Sequence, residues 1–503
     1  MLAGIDYFIV IAYILGMLLL GLYFKKFVSS SEDYFLGGKS LPFWAIGMSI
    51  VVSDIGALDF VGVSGQAYRY GVSVGNFDWV GSVPAMLLAA FIFVPYFWRG
   101  GMYTIPEYLG RRYNKSVRTI ASATWILFFA LNLGVLFWAS SVLLNVLMGW
   151  PIWISIISTA AVVGLYTYFG GITAVIMTDV VQMIIMFIGG FALVFLSLDA
   201  VGGWENMVEK IGTMGPEYQS HFDIIQPIGT KSPFPWTGIL FGLTFVMSNA
   251  YMIGNQSIVQ RCLTAKNEWH AKASMIFGSA LKMFVPIIVL FPGLMAVVVH
   301  PDLADGDQAL PMMIKSILPP GLVGLMFAAF FAGLMSSVDS LLNSTATLFT
   351  KDIYEPFIKK NADDKHYLKV GQLTTLVLLV IGVATAPISS DFPGVYVAIQ
   401  TFMSYFQGPL FAILLLGIFW KRTTQWGGLS ALIIGIGFAI FLNVFKADFF
   451  TIEDPFLYIS WWSFLLGFVV NFVISLLTKK HTVAELEGLV FSSKILSKNS
   501  DEL

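Results

Sequence analysis

Hydrophobic residues fill this chain in long runs, separated by short polar stretches or by Gly and Pro breaks. A helix needs about 20 mostly apolar residues to cross a hydrocarbon core. Runs of that kind cover 4–24, 42–66, 75–98, 117–147, 151–169, 172–200, 236–259, 271–299, 321–350, 367–388, 393–419, 426–445 and 455–478. The pattern predicts an all-α membrane protein with about 13 transmembrane helices. The first run lacks the basic lead-in and small-residue cleavage site of a signal peptide, so it reads as a span. The longest outer loop, 201–235, and the tail after Thr478 are too short for an independent catalytic module, so residues 1–503 read as a single membrane domain.

Composition agrees with that pattern. Hydrophobic side chains make up 57% of the chain and charged ones only 12%, with a mean hydropathy of +0.80. A net charge of −2 leaves no basic surplus for phosphates, which excludes nucleic acid as a partner. Cys262 is the one cysteine, and the histidines at 221, 270, 300, 366 and 481 lack the spacing of metal ligands. Lys and Arg accumulate on the cytoplasmic side of a membrane. Placing the N-terminus outside puts 22 of the 28 basic residues inside, Arg112 and Arg261 among them, with only Arg69, Lys210, Lys231, Lys315 and Lys446 outside and Lys282 within a span. The expectation is a multi-pass protein of a cell membrane with a cytoplasmic C-terminus. Two tempting motifs fail. Gly38-Lys39-Ser40 lacks the first glycine of a phosphate-binding loop, because position 33 is Asp33. The terminal Ser-Asp-Glu-Leu would face the cytoplasm, out of reach of a lumenal retention receptor.

Ionisable groups inside the bilayer are costly and mark functional sites by default. Asp54 and Asp59 fall in the second run, Asp78 at the start of the third, Asp179 in the sixth, Lys282 in the eighth and Asp339 in the ninth. Lys282 can neutralise one aspartate as a structural pair, but the excess of carboxylates suits a cation pathway. The second run reads as a broken helix: Ser53-Asp54-Ile55-Gly56-Ala57 places a polar pair and a glycine at mid-membrane, where unwound backbone survives only if it lines a cavity. Ser248-Asn249-Ala250-Tyr251 and Gly254-Asn255-Gln256 make the seventh run its counterpart. Spans two to six and seven to eleven then form two five-helix inverted repeats. Residues 1–41 are an extra N-terminal helix and loop, 42–234 the first repeat with its outer loop, 235–420 the second, and 421–503 two further helices and a tail. In the ninth run Gly333, Ser336, Ser337 and Ser340 share one helix face, with Asp339 one turn from Ser336. Such oxygens suit a hard cation.

Several motifs resemble one family. Glu32-Asp33-Tyr34-Phe35-Leu36-Gly37-Gly38-Lys39-Ser40-Leu41-Pro42, Tyr103-Thr104-Ile105-Pro106-Glu107-Tyr108, Tyr168-Phe169-Gly170-Gly171 running to Thr178-Asp179, Asn343-Ser344-Thr345-Ala346-Thr347 to Asp352-Ile353-Tyr354, and Phe419-Trp420-Lys421-Arg422-Thr423-Thr424 are similar to the sodium:solute symporters, above all the bacterial sodium/galactose branch. That resemblance implies a five-plus-five inverted-repeat (LeuT-type) fold and alternating access driven by sodium in a bacterial inner membrane. It implies a sodium site from the carbonyls of Val52, Ile55 and Gly333 with the hydroxyls of Ser336 and Ser337. A second sodium or proton site would use Asp179, Ser336, Asp339 and Ser340.

For the solute, the resemblance implies contacts at Lys282 and Gln400 and an inner gate at Tyr251, with the outer-gate aromatic falling on Tyr396 as a departure; Asn255, at the interruption of the seventh run, is a further candidate contact. The sugar branch's asparagine, glutamine, glutamate and serine fall here on Asp54, Asp59, Asp78 and Gly81, which are departures. The expected function is sodium-driven symport of a sugar or polyol, with an amino acid or monocarboxylate as the alternative solute. Sodium and the lipid bilayer are the other expected partners, with no obligate protein partner. An intramembrane aspartyl protease would need a Gly-x-Gly-Asp stretch, which is absent, and a nutrient sensor would normally carry a signalling module.

Overall fold

The computed structural model describes residues 3–25, 35–56, 58–167, 172–482, 486 and 488–491. Lys26, Glu32 to Tyr34, Ala57, the Tyr168-Phe169-Gly170-Gly171 motif, Lys494 and Lys498 lie outside the described residues. The described chain is helical nearly throughout, with no strand beyond two isolated bridges. Nine helices among the described residues are long and apolar enough to cross a membrane, or ten when Val395–Ser404 and Gln407–Phe419, bent by 44°, count as one span. Three shorter apolar helices, Phe43–Asp54, Ile152–Gly164 and Gly238–Gly254, fall in other expected spans. Length and composition therefore support nine or ten spans rather than the full thirteen.

Local chemistry sets many of the helix ends. Thr104 accepts the Glu107 N–H at 3.0 Å while the Glu107 carboxylate accepts the Tyr103 N–H at 2.9 Å, a reciprocal cap that starts Ile105–Arg112. Asn114 caps Lys115–Met148 through the Val117 N–H at 2.9 Å, and left-handed Gly149 ends that helix. At Gly71 the backbone has φ +77°, and an added Cβ would lie 2.0 Å from the His221 carbonyl. Only glycine allows that approach, which presses the outer loop onto the end of the second span through a 2.7 Å bond from Val72 N–H to His221 O.

The ninth span, Leu322–Leu348, is buried almost from end to end and packs against Ile172–Ala200, Gly4–Lys25 and Phe43–Asp54. Peripheral helices expose Phe8, Leu19, Leu373, Val380, Val444 and Leu477, a surface suited to hydrocarbon rather than water.

Among the described residues, breaks occur in four spans where two were expected. Phe43–Asp54 stops at Ile55, and the helix resumes with a wide turn, Asp59–Val63, that continues into Ser64–Tyr70. The seventh span stays helical through Ser248–Gly254 and is interrupted only at Asn255. Glu268–Lys282 gives way to Val285–Val299 next to Pro286, and the bend before Gln407 lies next to Pro409. A proline four residues on removes the N–H that would close the turn.

Two residues counted as loop cations are buried. Arg112 spends its guanidinium on the carbonyls of Gly417 (2.8 Å), Trp420 (3.0 Å) and Thr423 (3.2 Å), satisfying the end of Gln407–Phe419. Arg261 lies deeper still, with no exposed surface.

Candidate functional site

The break after Asp54 leaves the last carbonyls of Phe43–Asp54 without helical donors, and the ninth span supplies what meets them. Ser337 Oγ donates to the Ser53 carbonyl at 2.9 Å, and Ser336 Oγ lies 2.7 Å from Ser53 Oγ. Gly333 backs onto the same point: an added Cβ would stand 2.8 Å from the Ile55 carbonyl. Ile55, Gly333, Ser336 and Ser337 are thus brought together from two helices, with Val52 one turn back on the first. Ser53, which no expectation singled out as a ligand, stands in their midst.

The same break opens onto a cavity of about 1000 Å3, counting the part open to solvent, whose wall includes Ser53 and Ser337. Lys282 Nζ pairs with Asp54 Oδ2 and Asp78 Oδ1 together. Asp59, in the first turn after the break, accepts the Gly56 N–H at 3.1 Å. Tyr251 lies beside Asp54. Tyr396 packs edge-on against Phe77 at 5.2 Å, one turn before Gln400 on Val395–Ser404. All seven of these residues expected at the solute site line the cavity.

Asn255 does not line it. Its side chain accepts the Ser257 N–H at 2.9 Å and caps Gln256–Leu263, so its role is to restart a helix. Asn132 and Gln407 do line the cavity, with buried amide atoms that lack a hydrogen-bond partner. Sequence reading passed over both, although a glutamine beside Gly408-Pro409 in an apolar run is a usable signal.

The four residues expected to hold a second cation surround a cation that belongs to the protein. Arg261 Nε donates to Ser49 Oγ at 2.7 Å, and Nη2 reaches Ser53 Oγ at 2.6 Å, Asp179 Oδ2 at 3.4 Å and also Ser340 Oγ. Asp179 in turn accepts from Ser49 and, at 3.3 Å, from Ser53. Asp339 is buried within electrostatic reach of Arg261 and Tyr13. This corrects the loop assignment of Arg261. Gln256, Ser257, Gln260 and Arg261 form the polar face of a helix that the fold turns inward, and Gln260 bonds Asn343 at 2.9 Å and the Phe35 carbonyl at 2.7 Å.

Outside the spanning helices, Asp307 holds the start of the helix that carries Tyr396 and Gln400. Its Oδ2 accepts the Val395 N–H at 2.9 Å, while Arg69 bridges to Asp305 at 2.8 Å and to the Pro393 carbonyl. Burial pushes the Asp307 carboxyl from 3.8 up to about 7, with Asp305 adding to the shift and the Val395 N–H and Arg69 opposing it. A raised folded-state pKa means that the folded form keeps its proton longer than the unfolded one. The contribution is therefore complete below about pH 4 and lost as pH climbs to about 7. Asp307→Asn, which stays neutral and keeps an acceptor for Val395, should raise the melting temperature at pH 8 and leave it unchanged at pH 4. A lower melting temperature at pH 8 would refute this reading.

Helices broken within their spans around a charged cavity are the architecture of a coupled transporter, and comparison with known proteins agrees. The model of the sodium:solute symporter family matches residues 34–435. The chain is 33% identical to a sodium/glucose cotransporter of Vibrio parahaemolyticus, over 89% of this chain and 85% of that one. It is also 33% identical to a sodium/myo-inositol cotransporter 2 of Oryctolagus cuniculus, over 86% and 68%. Among solved structures, a Na+-coupled sialic acid symporter in its substrate-bound outward-open state superposes with a TM-score of 0.82 at 22% identity, covering 95% of this chain and 99% of that one. A nucleobase-cation-symport-1 family transporter superposes at 0.58 with 14% identity, covering 90% and 97%. This chain belongs to the sodium:solute symporter family. It is a multi-pass membrane transporter and not an enzyme.

Proposed function

We propose that this protein carries a small polar solute of the sugar or polyol class into the cell, driven by sodium, through alternating access. The observation that carries this reading is the pairing of two features across one helix break: an oxygen-rich pocket at Val52, Ile55, Gly333, Ser336 and Ser337, and a polar cavity holding Asp54, Asp59, Asp78, Lys282 and Gln400. Sodium in the first ties the second span to the ninth, which shapes the second for its solute. Tyr396 covers the outer side and Tyr251 the inner side. A polyhydroxylated solute can use the many donors and acceptors of this cavity, whereas a monocarboxylate would meet three carboxylates. The relatives named for glucose and myo-inositol support the same class.

One sodium ion accompanies each solute in this reading, because Arg261 already supplies the positive charge beside Asp179. A positive charge moving inward across 100 mV contributes about 2.3 kcal/mol, roughly a fifty-fold concentration ratio. The N-terminus lies outside and the C-terminus in the cytoplasm, as the distribution of Lys and Arg favours, and the family resemblance supports a bacterial inner membrane.

The test is sodium-gradient-driven uptake in proteoliposomes by wild type and Ser337→Ala. Losing one hydroxyl ligand should raise the sodium concentration for half-maximal uptake by about tenfold, roughly 1.4 kcal/mol. Unchanged sodium dependence would remove Ser337 from the ion site. Parallel fluxes of radiosodium and labelled solute should give a ratio of one.

A further inference from the structure

The cavity holds more negative charge than the protein neutralises. Lys282 is already committed to Asp54 and Asp78. Asp59 lines the same cavity and has no ion-pair partner among the described residues; it accepts the Gly56 N–H at 3.1 Å. The nearest other cations are spent elsewhere, Arg261 on Asp179 and its serines and Arg69 on Asp305. Asp59 stands near the N-terminal end of the resumed helix, on the wall of the cavity. A sodium ion at Ser337, on the wall of the same cavity, offsets one of the two surplus charges. One remains, and it faces the solute.

A second observation also points to a ligand. Asn132 Oδ1 and both amide atoms of Gln407 are buried, line this cavity and lack a hydrogen-bond partner. Unpaired buried amides are unfavourable unless a bound molecule or water satisfies them, and together with Gln400 they offer donors and acceptors to a solute bearing several hydroxyls.

Resting on the symport reading above, we propose that the solute is a polyhydroxylated monocation of the amino-sugar class, with Asp59 as counter-ion to its ammonium. Its hydroxyls meet Gln400, Asn132 and Gln407. A neutral hexose leaves Asp59 charged and unmatched once the gates close, and a uronate or other anion adds repulsion. Charge, rather than hydroxyl geometry alone, then sets the specificity of this cavity.

Initial rates of sodium-driven uptake of labelled glucosamine, galactose, myo-inositol and glucuronate into proteoliposomes containing the full chain test this. The amino sugar should exceed galactose and myo-inositol at least tenfold in kcat/KM, and glucuronate should not be carried. Asp59→Asn should lower the ratio of amino-sugar to neutral-sugar kcat/KM at least tenfold, and Asp59→Glu should retain the preference. Neutral hexose carried as well as the amino sugar, or an Asp59→Asn variant that slows both alike, overturns the proposal. Sodium-dependent stabilisation of the purified protein separates the two readings. If sodium stabilises the protein while a neutral hexose is preferred, only the proposal falls; if sodium has no effect, the symport reading falls with it.

Discussion

Lys282→Ala abolishes solute uptake, with an expected fall in initial rate of at least about a hundredfold. The ammonium joins Asp54 on the broken second span to Asp78 on the third, and its side chain is only 5% exposed. Removing one partner of a buried ionic cluster costs about 3–5 kcal/mol, because the remaining charges are left uncompensated. Each 1.4 kcal/mol is a factor of about ten, so the full cost, expressed in uptake, corresponds to at least about a hundredfold. The double variant Lys282→Met with Asp78→Asn separates folding from transport. It removes the repulsion between Asp54 and Asp78 and should recover part of the yield and melting temperature, yet uptake should stay low because the ionic cluster that shapes the cavity is gone. Wild-type uptake by Lys282→Ala would place the solute elsewhere.

The second large effect is on stability. Arg261→Gln strips the guanidinium from a site where both it and Asp179 are wholly buried, and it also removes donors from Ser49, Ser53 and Ser340. A loss of about 3–5 kcal/mol is expected, seen as a sharply lower melting temperature in detergent. Adding Asp179→Asn should recover much of it, since two neutral amides can bond each other and the serines without a buried charge. A single variant as stable as wild type would show that this cluster does not hold the second, sixth and ninth spans together.

Much of this protein is legible in its sequence for a plain reason. Crossing hydrocarbon demands long apolar runs, so each run marks a helix, and an acid placed inside a run stands out against its neighbours. That is how Asp54, Asp59, Asp78, Asp179, Lys282 and Asp339 were visible, and why the small and hydroxyl residues at 333, 336 and 337 drew notice as one helix face. The break at Ile55 and Gly56 was equally visible, because polar residues and glycine seldom interrupt a span without a role. Breaks set by Pro286 and Pro409 were not read, since proline in a membrane helix leaves the apolar pattern intact.

What the amino-acid order determined is therefore the class of protein, the helical segments and the acids of its interior. The tertiary structure alone decided which groups those acids face. Arg261 lies among Gln260, Thr264, Lys266 and Asn267, a polar stretch that reads as a cytoplasmic loop, yet packing carries it to Asp179, 82 residues earlier in the chain. Asn255, expected beside the solute, became a helix cap, while Ser53, Asn132 and Gln407 were turned towards the site. A hydropathy window registers what a segment costs to bury, averaged over about 20 residues. The partner of a single buried charge is chosen by helix-on-helix packing between segments far apart in sequence, and no local pattern carries that information.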